Sequence, residues 1–177
     1  MVMRWRVVLL TLLLAGCGAG TGTQLPIACP NPGLLGEGAD LTRYRPGAAH
    51  DLTGLDFDAR LVSINGSCKA GRGDRTIELE MAAGFAVERG PASEGRAVEL
   101  PWFVAVLDRQ TDAILSRQDF TDRVVFGRNE TRSTVDSAPV SITLPVGETR
   151  RAADYRILVS FQLTEEDLAL NRRRGPR

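Results

Sequence analysis

The chain is poor in the residues that carry most protein chemistry. It has 177 residues and one histidine, His50. That excludes histidine-rich metal sites and leaves Ser–His or Cys–His catalysis a single imidazole to work with. Three cysteines are present, with no C-x-x-C pair and no nearby histidine cluster, so the sequence offers no metal centre. Aromatic residues make up only 6%. Lys+Arg and Asp+Glu balance at 22 each, so no basic field marks a nucleic-acid binder. No G-x-S-x-G elbow, P-loop or H-E-x-x-H occurs, and no cofactor is indicated. No apolar run approaches the roughly 20 residues that a membrane-spanning helix needs. What is there has the balance of a folded protein: 43% apolar, 25% charged, at a length suited to one domain.

The N-terminus is the most specific segment. Arg4 and Arg6 precede the apolar stretch Val7–Ala15, and this ends in Leu14-Ala15-Gly16-Cys17. A charged start and a short apolar core match a signal peptide over residues 1–16. Small residues directly before a cysteine resemble the lipobox of bacterial lipoproteins. The resemblance implies cleavage before Cys17, diacylation of its thiol and acylation of the new amino terminus. Several acyl chains hold a protein stably to a membrane, at about 0.8 kcal/mol per buried methylene. Position 18 is Gly rather than Asp, which in the sorting pattern of such proteins points to the outer membrane, facing the periplasm. Loss of residues 1–16 removes two arginines and no acid, so the mature chain is mildly acidic.

Residues 17–28, rich in Gly and Thr, read as a flexible tether. With Cys17 acylated, Cys29 and Cys68 remain. In an oxidising envelope such a pair forms a disulfide, worth about 4 kcal/mol for a loop of roughly 40 residues. It would pin the N-terminal segment to the end of the first strand.

After residue 50 the apolar period is two. Tyr155, Ile157, Val159, Phe161 and Leu163 alternate with polar or exposed positions. Leu55 to Leu61, Ile77 to Val87, Val140 to Leu144, and Phe120, Val124 and Phe126 behave likewise, with Gly84 marking a bulge. Val98 to Leu107 is apolar on both faces and predicts a central strand, regular from about Trp102 because Pro101 lacks an N–H. Turn-rich loops at 89–96, 108–112, 127–130 and 145–148 separate the runs, and Asn65-Gly66-Ser67 reads as a tight turn. Six or seven such strands predict an all-β fold over 29–171. The form expected is an antiparallel β-sandwich, immunoglobulin-like or fibronectin-III-like, with a small barrel as the alternative. Thr164 followed by Glu165, Glu166 and Asp167 predicts one short C-terminal helix. Leu168 and Leu170 would cover an open end of the sandwich, and residues 172–177 would form a frayed basic tail.

His50, beside Asp51, sits in a Gly/Ala-rich stretch that reads as a solvent-facing loop, and an enzyme built on these two residues is the least favoured function. Asp56 and Asp58 share a strand face but are too few oxygens for a calcium site. A partner-facing patch is expected at Phe103 and Trp102 and at Pro91 in the 89–96 loop, with Phe103 the best exposed aromatic. The mature chain also resembles lipoproteins of Gram-negative envelopes. Cys29-Pro30, Tyr44-Arg45-Pro46-Gly47, Asn65-Gly66-Ser67-Cys68, Arg89-Gly90-Pro91, and Ser160-Phe161-Gln162-Leu163 with Asn171-Arg172 carry the resemblance. It implies a location but no activity. The expectation is a non-enzymatic interaction or structural module, held to the membrane through Cys17, with an envelope protein as partner. A carrier of an apolar or saccharide ligand is the alternative.

Overall fold

A computed structural model describes residues 28–175. The signal segment, Cys17 and nearly all of the expected tether lie outside the described residues. Nine strands are found among those described: β1 (Pro32–Leu34), β2 (Asp40–Tyr44), β3 (Leu55–Ala70), β4 (Thr76–Arg89), β5 (Ala97–Asp108), β6 (Ile114–Val125), β7 (Arg132–Asp136), β8 (Val140–Pro145) and β9 (Tyr155–Phe161). One helix, α1 (Glu165–Arg174), closes the chain. The strands form two sheets, one in the order β1-β9-β5-β6 and the other β2-β3-β4, with β7 and β8 sharing the far edge of β4. The fold is an all-β sandwich. All pairings are antiparallel except β1 with β9. The last strand lies between β1 and β5, away from β8, its neighbour in sequence.

The alternating apolar positions meet between the sheets. Ile77, Leu79, Met81, Ala83, Phe85 and Val87 of β4 are all buried, as are Val98, Leu100, Trp102, Val104 and Val106 of β5. Phe85 packs edge-on to Trp102 with ring centroids 5.7 Å apart, and lies 5.7 Å from Phe161. Trp102, Phe85, Phe126 and Phe161 are among the largest fully buried side chains and fill the inter-sheet space.

Three features differ from the sequence reading. First, β3 does not turn at Asn65-Gly66-Ser67 but runs through to Ala70. Its pairing with β4 skips from Leu61 to Ser63, so Val62 is an extra residue opposite Phe85 and Gly84. One extra residue swaps the faces of a strand. Before it Phe57, Ala59 and Leu61 face the core, and beyond it the partners of Ala83, Met81 and Leu79 are Ile64, Gly66 and Cys68. Gly84 leaves room here for Ser63, whose Oγ would lie 2.2 Å from a Cβ at this position and would have to rotate away.

Second, β5 is regular from Ala97, with Pro101 inside it. In a strand the N–H and C=O of one residue point to the same side. The Pro101 carbonyl accepts the Gln162 N–H at 2.8 Å, so its missing N–H faces the end of β9 and costs the β6 pairing nothing. Third, β1 and β2 lie in a stretch without apolar period, and β7 has only half-buried residues on its inner face.

The expected disulfide is formed. Cys29 and Cys68 are bonded, with Cα atoms 6.0 Å apart. The bond ties the N-terminal segment to the far end of β3, with two residue pairs between Cys68 and the β3–β4 turn.

Candidate functional site

The helix α1 builds the most structured surface feature. Thr164 caps it: its hydroxyl accepts the Asp167 N–H, and Asp167 Oδ2 accepts the Thr164 N–H at 2.8 Å and hydroxyl at 2.7 Å. This reciprocal cap satisfies donors that a helix start leaves unpaired. The other Asp167 oxygen accepts the Arg43 guanidinium of β2. One turn on, Asn171 donates to the carbonyls of Glu37 and Asp40, both at 2.8 Å. Arg172 pairs with Glu37 at 2.9 Å, and Arg174 donates to Thr42 Oγ1 at 2.8 Å and Tyr44 Oη at 3.1 Å.

The helix therefore docks through polar groups. Asp167 and Asn171 are its buried residues, while Leu168 and Leu170 are only half-buried. The expectation that the two leucines cover the sandwich end is corrected accordingly. The expected frayed tail over 172–177 is also corrected for Arg172 to Arg174, and residues 176–177 lie outside the described residues. Arg172 to Arg174 are helical, and two of the three are bonded to the domain, because the capped and clamped helix carries them past its last anchored residue.

Between α1, β2 and the loop 45–54 lies a cleft of about 440 Å³, lined among others by Arg43, Tyr44, His50, Glu166, Asp167 and Arg173. His50 is exposed, stacks on Tyr44 with ring centroids 4.6 Å apart, and places Nδ1 3.4 Å from Glu166. Burial alone would raise the Asp167 carboxyl. The Arg43 guanidinium and the Thr164 N–H and hydroxyl outweigh it and hold the group below the usual carboxylate range. Arg173 is exposed and forms no ion pair among the described residues. A second groove of about 410 Å³ shares Arg43 and Tyr44 and continues over Phe57, Glu99 and Pro101 towards β6.

No protein-family model, curated protein or solved structure matches the chain. The cleft is therefore read from its own chemistry.

His50 and Asp51 are not brought together as a pair. Asp51 turns back into its own loop, where Oδ1 accepts the Thr53 hydroxyl at 2.7 Å, the Thr53 N–H at 2.8 Å and the Gly54 N–H at 3.2 Å. These bonds, led by the Thr53 hydroxyl, lower its carboxyl from the usual value. No cluster of three or more metal-ligating side chains occurs among the described residues.

The three residues expected on a partner surface are scattered. Trp102 is 1% exposed, which corrects its place on that surface. The pleat turns it inward onto Phe85 and Phe120, and its Nε1 donates to Asp122 at 2.6 Å. Phe103, on the opposite face, is half-buried beneath the Arg117 guanidinium, 3.8 Å from its ring centre. Pro91 is exposed in the loop between β4 and β5. The cleft residues Arg43, Asp167 and Arg173, and Asn171 that anchors the helix behind them, were missed. Their one signal was the run of arginines after a capped helix, which reads as a solvated tail unless the fold is known.

Chemically, the cleft offers guanidinium, imidazole, phenol and carboxylate groups at one end of the sandwich. Most are already paired with each other, which fixes their positions. Arg173, without an ion pair among the described residues, stands at the rim of this fixed mixed charge.

Proposed function

We propose that the chain is a lipid-anchored envelope protein whose β-sandwich works as a non-enzymatic interaction or structural module. The observation that carries this reading is the order of segments: Arg4 and Arg6, a short apolar run, Leu14-Ala15-Gly16-Cys17, and then a disulfide-bonded sandwich. A disulfide suits an oxidising compartment outside the cytoplasm. The two ends of the domain support a division of labour. Cys68 lies eleven residues along β3 from Phe57, which lines the groove beside the cleft, so bond and cleft are roughly 35 Å apart at ~3.3 Å per residue. A chain held at Cys17 enters the domain at the disulfide end and offers the α1 cleft at the other, to an envelope protein rather than to its own membrane.

Photo-cross-linking in intact cells tests this. A cross-linker at Arg173 should capture an envelope protein reproducibly, and one at Lys69, near the disulfide end, should not. Equal capture of nothing at both positions would remove the interaction reading.

A further inference from the structure

The strand β6 is the free edge of its sheet: it pairs with β5 and with no other strand among the described residues. Arg109 N–H and Pro101 C=O bond towards β9, whereas Asp108 N–H bonds to Ala113 and Phe126 N–H to Arg96 on the β6 side. Even-numbered residues of β5 thus face β6, and through the register Trp102↔Phe120 the even-numbered residues of β6 face β5. The N–H and C=O groups of Arg117, Asp119, Thr121, Arg123 and Val125 all point outward, on an exposed edge. An edge of this length templates a further strand unless something blocks it.

We propose that a second copy of this chain pairs antiparallel with β6, centred on Thr121 opposite Thr121. A two-fold axis normal to the sheet keeps faces matched, so residue i meets the copy's residue on the same face. Three features select the register. Asp119 already accepts Arg117 of its own strand at 2.8 Å; centring on Thr121 sets each Asp119 opposite an Arg123 of the other copy as well, so each carboxylate lies between two guanidiniums, and keeps Arg117 to Val125 of both copies in contact. Centring on Phe120 would set Arg117 against Arg123, and centring on Asp119 would set carboxylate against carboxylate. Centring on Gln118 would run both strands into the irregularity at Leu115, where the β5 register jumps from Ser116 to Ile114. The edge charges of alternating sign repel an unrelated apolar strand and match their own copy. The inference rests on the fold and is independent of the anchor.

The detergent-solubilised full chain should sediment at twice the monomer mass. Thr121→Cys should cross-link to itself under a short bismaleimide, because the opposed Cα atoms of a hydrogen-bonded pair lie about 5.5 Å apart. Asp119→Cys and Arg123→Cys should each fail alone and cross-link when mixed, with the unsubstituted chain as the control for Cys17. Thr121→Pro removes only an outward N–H and should give monomer with an unchanged circular dichroism spectrum. A chain that sediments as monomer with no Thr121→Cys product overturns the proposal. So does a dimer that survives Thr121→Pro or that cross-links in another register.

Discussion

Asn171 shows how much one side chain fixes. Its amide satisfies two main-chain carbonyls, one at the start of β2 and one just before it, 131 and 134 residues away. Asn171→Leu leaves the buried Asp40 carbonyl unpaired, at about 1–3 kcal/mol, and the Glu37 carbonyl to solvent. The expected result is a lower melting temperature and earlier proteolysis within 165–174, with the disulfide intact. Asp167 adds a pH dependence. Its folded-state pKa is lowered, so its contribution is present above the unfolded value of 3.8 and is lost as pH falls through the folded value. Asp167→Asn should therefore flatten the acid limb of the stability curve below about pH 4, read by thermal melts across pH. The sequence showed the Thr164 cap, because a capping residue followed by acids is a local signal. It did not show that Asp167 and Asn171 point inward, because polar residues on a helix read as solvated until their distant partners are known.

At the scale of the strand, the clean alternations were legible and the exceptions were not. In β4 and β9 the apolar residues follow a period of two and are buried at each step, with Gly84 and Ser160 the two out-of-phase positions that are buried as well. The second half of β3 was hidden by the extra residue at Val62, which moves the core-facing set from odd to even positions. A reading by parity stops where parity changes, so Asn65-Gly66-Ser67 looked like a turn. Pairing with Met81 gives Gly66 a different requirement: a Cβ there would lie 2.7 Å from the Glu80 carbonyl oxygen. Gly66→Val should destabilise by about 1–3 kcal/mol despite the strand preference of valine, and urea unfolding measures this. A turn at 65–67 would instead leave those amides fast in hydrogen exchange, whereas β3 predicts alternating protection. Pro101 was read correctly as a residue whose missing N–H must be harmless, but the strand was started after it. It limits pairing with β9, which ends at Phe161, and leaves β5 regular from Ala97. In β5 itself, Trp102→Ala should cost about 3–5 kcal/mol, since the ring is fully buried against Phe85 and Phe120.

For the whole molecule, the fold class and the disulfide followed from period and cysteine count, while strand order did not. Period reports which face is buried but not which strand lies beside which, and the placement of β9 between β1 and β5 depends on contacts across the chain. The Cys29–Cys68 bond closes a loop with a sequence separation of 39 and should contribute about 4 kcal/mol in the chain-entropy account. Reduction is expected to lower the unfolding free energy by about that amount, read as a lower denaturation midpoint, without changing the sheet content. The bond and the α1 cleft occupy opposite ends of the sandwich, so an anchor upstream of Cys29 would leave the cleft free to meet another protein. That arrangement depends on Cys17. Its most direct test is the mass of the N-terminal peptide of the protein taken from its own cell envelope. The account predicts a peptide that begins at Cys17 and carries acyl chains, together with loss of membrane association in Cys17→Ser. An unmodified peptide, or a Cys17→Ser protein that stays with the membrane, would contradict it.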